Sequence, residues 1–142
     1  MSNSFQDFNQ ALMRDLRANK GQATSGPFKG GDLLILTTKG AKSGETRENP
    51  LVYTRDGERL VIIASKGGAP TNPSWYHNLV THPEVVEEAG GDKFKARAIV
   101  PQGDEYERLY TQMADIYPNF YEYRQKTSRQ IPVVVLERAE SK

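Results

Sequence analysis

The chain has no cysteine, which removes disulfides, thiolate metal sites, iron–sulfur clusters and thiol nucleophiles from consideration. It also lacks any excess of one charge: nineteen Lys+Arg against eighteen Asp+Glu leave a net charge of +1. A protein so nearly neutral projects no global field toward nucleic acid, so any preference for anions must be local. No apolar run approaches the length of a membrane span, and the start, Met1-Ser2-Asn3-Ser4-Phe5, has neither a basic n-region nor a continuous apolar h-region. The expectation is a soluble, cytoplasmic protein. The two histidines, His77 and His82, stand five apart with no carboxylate at ligand spacing, so no metal site is expected. At 142 residues the chain has the length of one ordinary domain and can bury a core without covalent staples.

What is present begins with an apolar stripe. Phe5, Phe8, Leu12, Met13 and Leu16 recur at spacings of three and four, with Arg14, Asp15, Arg17 and Lys20 between them, which predicts an amphipathic helix within residues 1–20. Its apolar face needs a partner: the protein's own body, a second subunit or a membrane surface. Asp7 and Asp15 on the polar face favour protein over an anionic surface. Residues 21–31, rich in Gly, Ser and Thr, read as a linker into a main domain of residues 32–142. There the pattern turns to strands, at 33–38, 51–54, 60–65, 85–89, 94–100 and 131–136. Asp56-Gly57 and Gly90-Gly91-Asp92 are hairpin signals, and Pro132 stands at a strand start. Six strands in hairpins with a few helices predict an α+β, mainly β protein, an antiparallel sheet closing toward a barrel.

Three clusters carry chemistry. Between residues 37 and 51 an apolar strand runs into a loop in which Lys39, Lys42 and Arg47 supply charge and Ser43 and Thr46 supply hydroxyls. Gly40 and Gly44 allow backbone N–H groups to turn inward as an anion nest. The spacing is that of neither a Walker A loop nor a dinucleotide-binding glycine turn. The other reading is a solvated hairpin loop. The second cluster, Ser65-Lys66-Gly67-Gly68 followed by Pro73, Trp75, Tyr76 and Asn78, joins a strand end to a helix start, and its glycines let the backbone approach a flat ligand. Here the competing reading makes Trp75 and Leu79 the core face of that helix. The third is a helix at 104–117 with Tyr106, Leu109, Tyr110, Met113, Ile116 and Tyr117 on its apolar period. Pro118 ends it, Asn119 is placed to cap the next turn, and Phe120-Tyr121-Glu122-Tyr123 follows as a pocket wall or an aromatic lid on the core. Nucleic acid is not expected as a partner, because no aromatic for base stacking lies between Lys39 and Arg47.

In order and spacing these clusters resemble the deazaflavin-dependent nitroreductase family, small split-β-barrel proteins that bind coenzyme F420. The resemblance covers residues 32–136. It rests on Leu36-Thr37-Thr38-x-Gly40-x-Lys42-Ser43-Gly44-x-x-Arg47-x-x-Pro50-Leu51, on Ala64-Ser65-Lys66-Gly67-Gly68 with Pro73-x-Trp75-Tyr76-x-Asn78-Leu79, and on Tyr117-Pro118 with Ile131-Pro132-Val133-Val134. It implies that Lys42, Ser43 and Arg47 hold the coenzyme's phosphate and polyglutamate tail, with Asn49 and Pro50 following. Ser65, Lys66, Gly67, Gly68 and Trp75 would line the deazaflavin ring, and Ala64, Pro73 and Asn78 complete the cofactor-binding set.

The implied reaction is hydride transfer from the reduced coenzyme to a quinone-like or nitroaromatic acceptor. Ser65 is the candidate to hydrogen-bond the acceptor or the cofactor edge, with Tyr117 and Tyr123 as pocket wall and proton donors. A non-catalytic F420 carrier and an FMN-binding split-barrel protein are the alternatives. A homodimer and peripheral attachment to the inner face of the cell membrane through the first helix are further expectations. Two departures stand out. Ala41 replaces an arginine common in the family, which implies weaker coenzyme binding, and Phe120 stands between Tyr117 and Tyr123 where reducers of nitroimidazoles carry a tyrosine. Tyr121 offers the alternative hydroxyl.

Overall fold

The computed structural model describes residues 4–139. The elements are α1 (Ser4–Ala18), β1 (Leu33–Lys39), β2 (Thr46–Val52), β3 (Thr54–Asp56), β4 (Arg59–Ile63), a 3-10 turn (Lys66–Gly68), α2 (Ser74–Thr81), β5 (Glu84–Ala89), β6 (Asp92–Ile99), α3 (Gly103–Ile116), α4 (Asn119–Lys126) and β7 (Val133–Arg138). The strands form one antiparallel sheet in the order β2-β1-β5-β6-β7-β4-β3. Its two edges, β2 and β3, are separated in the chain by Tyr53 alone. The chain thus leaves one edge and enters the opposite one within a residue, and the sheet has to curl round until those edges approach each other. The expected α+β barrel is the observed one, with seven strands and not six, because the strand read at 51–54 is the junction of β2 and β3.

Alternation decides which side chains fill the barrel. Leu34 and Leu36 of β1, Leu60 and Ile62 of β4, and Val134 and Leu136 of β7 point inward, where Trp75 and Leu79 of α2 plug the interior. The opposite faces of β4 and β7, Val61, Ile63, Val133 and Val135, are covered by Tyr106, Leu109, Tyr110 and Met113 of α3 and Phe120 of α4. Ile116, on the period expected for the core, is exposed where α3 ends.

Helix α1 lies on the protein's own sheet. Leu12, Met13 and Leu16 are buried against Leu33 and Ile35, the outward residues of β1. At roughly 2 kcal/mol for each fully buried large apolar side chain, this docking is the natural use of the stripe. Arg17 fastens it by pairing with Glu48 of β2 at 2.6 Å and Glu88 of β5 at 2.8 Å. The Phe5 side chain, counted in the same stripe, lies outside the described residues. Residues 21–31 close on themselves: Ala23 donates to Gly31 O at 3.0 Å and Gly30 to Ala23 O at 2.8 Å. Phe28 meets Phe8 of α1 with ring centroids 6.5 Å apart. Among the described residues no helix is long and apolar enough to cross a membrane.

Candidate active site

The cationic segment is the hairpin loop between β1 and β2, residues 40–45, with Arg47, Asn49 and Pro50 on β2 itself and not in the loop. The Gly40 N–H donates to Glu45 O at 2.7 Å, the Gly44 N–H to Gly40 O at 3.0 Å, and the Glu45 N–H to Ser43 Oγ at 3.1 Å. The glycine N–H groups thus close the loop instead of forming a nest. A Cβ on Gly40 would stand 2.7 Å from Ser43 Oγ and 3.2 Å from Glu45 O, so a side chain there would displace the hydroxyl that accepts from Glu45. The N–H groups of Lys42 and Ser43 have no protein acceptor among the described residues, and the Lys42, Ser43 and Arg47 side chains are exposed. Arg47 pairs with Glu45 at 3.1 Å, but both side chains are more than half exposed, a contact an incoming anion can displace at little cost.

Asn78 of α2 holds this loop from below. Its Oδ1 accepts from the Ala41 N–H at 3.0 Å and its Nδ2 donates to Thr38 Oγ1 at 3.1 Å, in buried surroundings. Both ends of the amide are engaged by the protein. On β2, Arg47 and Asn49 share a face with Leu51, which packs toward the barrel interior, whereas Pro50 shares the other face with Glu48, the partner of Arg17. Pro50 is therefore turned away from Arg47 and Asn49.

After β4, the Ala64 N–H donates to Pro132 O at 2.9 Å, and the backbone then passes through three successive left-handed residues, Lys66 (φ 49°), Gly67 (64°) and Gly68 (83°). Ser65 is buried and its hydroxyl has no protein partner among the described residues. A Cβ on Gly68 would stand 3.0 Å from Lys126 Cβ and 3.1 Å from Tyr123 O, so the turn lies directly against α4. Gly67 is exposed and faces open space. Pro73 is buried just before α2, and Trp75, 5% exposed, belongs to the barrel core. Arg129, absent from the sequence-based set, binds the 64–72 segment through its guanidinium. No local pattern marks it, because its partners lie some sixty positions earlier in the chain.

A cleft of about 340 Å³ is lined by Phe28, Leu33, Val52, Tyr117, Phe120 and Tyr123, and Tyr123, whose backbone oxygen faces Gly68, links it to the turn. Phe28, Leu33 and Val52 were not expected in a site. Phe120 is buried with the rings of Tyr117 and Tyr123 edge-on to it at 6.4 and 5.4 Å. The hydroxyls divide the tyrosines of α3, α4 and the turn between them. Tyr106 donates to Ile131 O and Tyr110 to Phe120 O, both at 2.6 Å, and burial pushes the Tyr110 phenol up to about 12. Tyr121 faces outward, donating to Asp115 Oδ1 at 2.5 Å, and does not replace the hydroxyl that Phe120 lacks. Tyr117 and Tyr123 line the cleft with hydroxyls that make no protein hydrogen bond among the described residues.

A basic hairpin loop, a glycine turn with a lone hydroxyl and a tyrosine-walled cleft, joined through α2 and α4, can be set beside known proteins. The model of the family described as F420H(2)-dependent quinone reductase matches residues 10–138. The chain belongs to this family. It is 44% identical over 108 residues to an F420H(2)-dependent quinone reductase of Mycobacterium tuberculosis strain H37Rv, covering 74% of this chain and 72% of that one. A solved structure titled F420-H2 dependent reductase (FDR-A) superposes with a TM-score of 0.69 at 37% identity, over 74% of this chain and 93% of that one. A second, described as a domain-swapped dimer, gives 0.72 at 31% identity over 95% and 100%.

For an F420H(2)-dependent quinone reductase the coenzyme is F420, and the residues present fit it. Exposed Lys42 and Arg47 with two unengaged N–H groups suit an anionic tail. An open Gly67 and the free Ser65 hydroxyl suit the edge of a flat ring, and the aromatic cleft suits a planar acceptor.

Proposed function

We propose that this quinone reductase binds F420 with its tail on Lys42, Ser43 and Arg47 and its ring beside the 65–68 turn, and that the quinone enters the cleft between Phe28 and α4. When bound, the reduced coenzyme supplies a hydride from C5 of the deazaflavin, a two-electron donation. The chain's own part is to hold and orient both partners, to exclude water from the cleft and to deliver a proton. In this reading the Ser65 Oγ, which has no protein partner among the described residues, hydrogen-bonds the ring edge or the quinone oxygen. The Tyr117 and Tyr123 phenols are the groups from which a proton can pass to the quinone oxygen as it gains charge, completing the hydroquinone. The observation that carries this reading is that both tyrosines lining the cleft have hydroxyls without a protein partner among the described residues, while the other tyrosines of α3 and α4, Tyr106, Tyr110 and Tyr121, are tied. In this reading Ala64, Lys66, Gly67 and Gly68 shape the ring site, Asn49 contributes from the face of β2 that carries Arg47, Trp75 and Pro73 support α2, and Asn78 fixes the loop.

Phe120 in the middle of the tyrosine pair weighs against efficient reduction of bulky nitroaromatics, so quinones are the preferred acceptors in this proposal. A homodimer is supported by the likeness to the structure described as a domain-swapped dimer, and light scattering tests it. Peripheral membrane contact has the exposed Phe8 and Phe28 to work with, since Leu12, Met13 and Leu16 are buried; vesicle co-sedimentation tests that. The function itself is tested by titrating the protein with F420, with FMN in parallel, and then adding a soluble menaquinone analogue or a nitroimidazole to the reduced coenzyme. F420 binding with faster oxidation by the quinone is expected. Preference for FMN, or binding without turnover of any quinone, would contradict it.

A further inference from the structure

Arg129 lies in the connection from α4 to β7 with its guanidinium turned back onto an earlier part of the chain. Nε donates to Ala69 O at 2.8 Å, Nη1 to Asn72 Oδ1 at 2.6 Å, and Nη2 to Ser65 O at 2.8 Å and Ala64 O at 3.4 Å. All three nitrogens are engaged, every acceptor is a neutral oxygen, and burial holds the guanidinium below the ordinary arginine pKa. Arg129 is part-buried with no counter-charge, so its position rests on these contacts to neutral oxygens.

What they secure follows from the geometry of the peptide. In a planar trans peptide the carbonyl and the next residue's N–H point in opposite directions, and the described chain contains no cis bond. Holding Ala64 O and Ser65 O on the guanidinium therefore turns the Ser65 and Lys66 N–H groups away from Arg129. Neither N–H meets a protein acceptor among the described residues. The cation also polarises the peptides it binds, which makes those N–H groups stronger donors. Beyond them lie the three left-handed residues, one of them the non-glycine Lys66, a backbone that persists only where its surroundings over-determine it. Arg129 grips the segment by its carbonyls, and α4 meets it at Gly68.

We propose that Arg129 is a positioning residue for the coenzyme. Without touching it, Arg129 locks the 65–68 turn so that the Ser65 and Lys66 N–H groups form a donor pair for the oxygen-bearing edge of the deazaflavin. The proposal rests on the reading of that turn as the ring site.

The test uses the full chain with Arg129→Lys, which keeps the charge but lacks the fork, and Arg129→Ala with added guanidinium ion. Three quantities are measured: F420 affinity by fluorescence, hydrogen exchange at Ser65 and Lys66 without coenzyme, and the melting temperature. The expected result is at least tenfold weaker F420 binding by Arg129→Lys, measured well below its melting temperature, with faster exchange confined to residues 65–68. Millimolar guanidinium restores affinity to Arg129→Ala and leaves the wild type unchanged. Arg129→Lys that binds F420 within twofold of wild type with unchanged exchange overturns this proposal alone. So does an affinity loss that follows the melting temperature and resists guanidinium. A wild type that does not bind F420 overturns the reading of the site and this proposal together. If Arg129→Ala does not fold, Arg129→Lys decides.

Discussion

Glu87→Gln should make the protein more stable at pH 8 and leave it nearly unchanged at pH 4. Alternation on β5 sends Val85, Glu87 and Ala89 inward, and Glu87 is 1% exposed with Oε2 lacking any hydrogen-bond partner. Desolvation raises its pKa from 4.5 to about 7, against a partial pull downward from Arg138 and Arg55. The folded state thus holds a proton that the unfolded chain has released between those two values. Stability from this group is highest below pH 4.5, declines as pH rises toward 7, and is fully lost above it. The interval of about 2.5 units corresponds to at most roughly 3.5 kcal/mol at about 1.4 kcal/mol per unit. Glutamine keeps the shape and carries no charge to desolvate, so its advantage over the wild type should grow by about 2 to 3 kcal/mol between pH 4 and pH 8. Urea unfolding of both proteins across that range measures it. Parallel stability profiles would show that Glu87 is not held protonated in the barrel and would refute the reasoning.

Lys42→Ala and Arg47→Ala should each weaken F420 binding about tenfold, the lower end for a lost charge-assisted contact because both side chains are exposed, and the loss should shrink at high salt; fluorescence titration at two ionic strengths checks it. Removing both cleft hydroxyls with Tyr117→Phe and Tyr123→Phe should lower kcat roughly 100-fold while F420 affinity stays within twofold, and steady-state kinetics with a quinone separates the two. Gly68→Ala forces a side chain at φ 83° to within 3.0 Å of Lys126 Cβ, so it should cost about 2 kcal/mol in urea unfolding and impair coenzyme binding.

Strong local patterns were legible in the sequence. The continuous run of β1 and the turns at Asp56-Gly57 and Gly90-Gly91 predict their elements because apolar burial and turn chemistry agree there. β2 was not, since Thr46, Arg47, Glu48, Asn49 and Pro50 form an edge strand whose polar residues and proline protect it from pairing, and the same composition reads as a loop. The two glycines of the basic loop were recognisable as turn residues, but the fate of their N–H groups depends on Glu45 O and Gly40 O, which only the closed hairpin specifies. Asn119 does not cap α4; Pro118 occupies that position without a side-chain bond. Arg129 and Phe28 reach the site from connections whose partners are distant in sequence, and Glu87 resembles any polar strand residue until β5 is placed in the sheet.

The central claim is that this chain orients reduced F420 and a quinone for direct hydride transfer. Stopped-flow oxidation of the protein-bound reduced coenzyme by a soluble menaquinone analogue, with hydrogen and then deuterium at C5, tests it most directly. A rapid, quinone-dependent return of the oxidised coenzyme's absorbance, slowed several-fold by deuterium, is the predicted result. Oxidation no faster than in the absence of protein would contradict it.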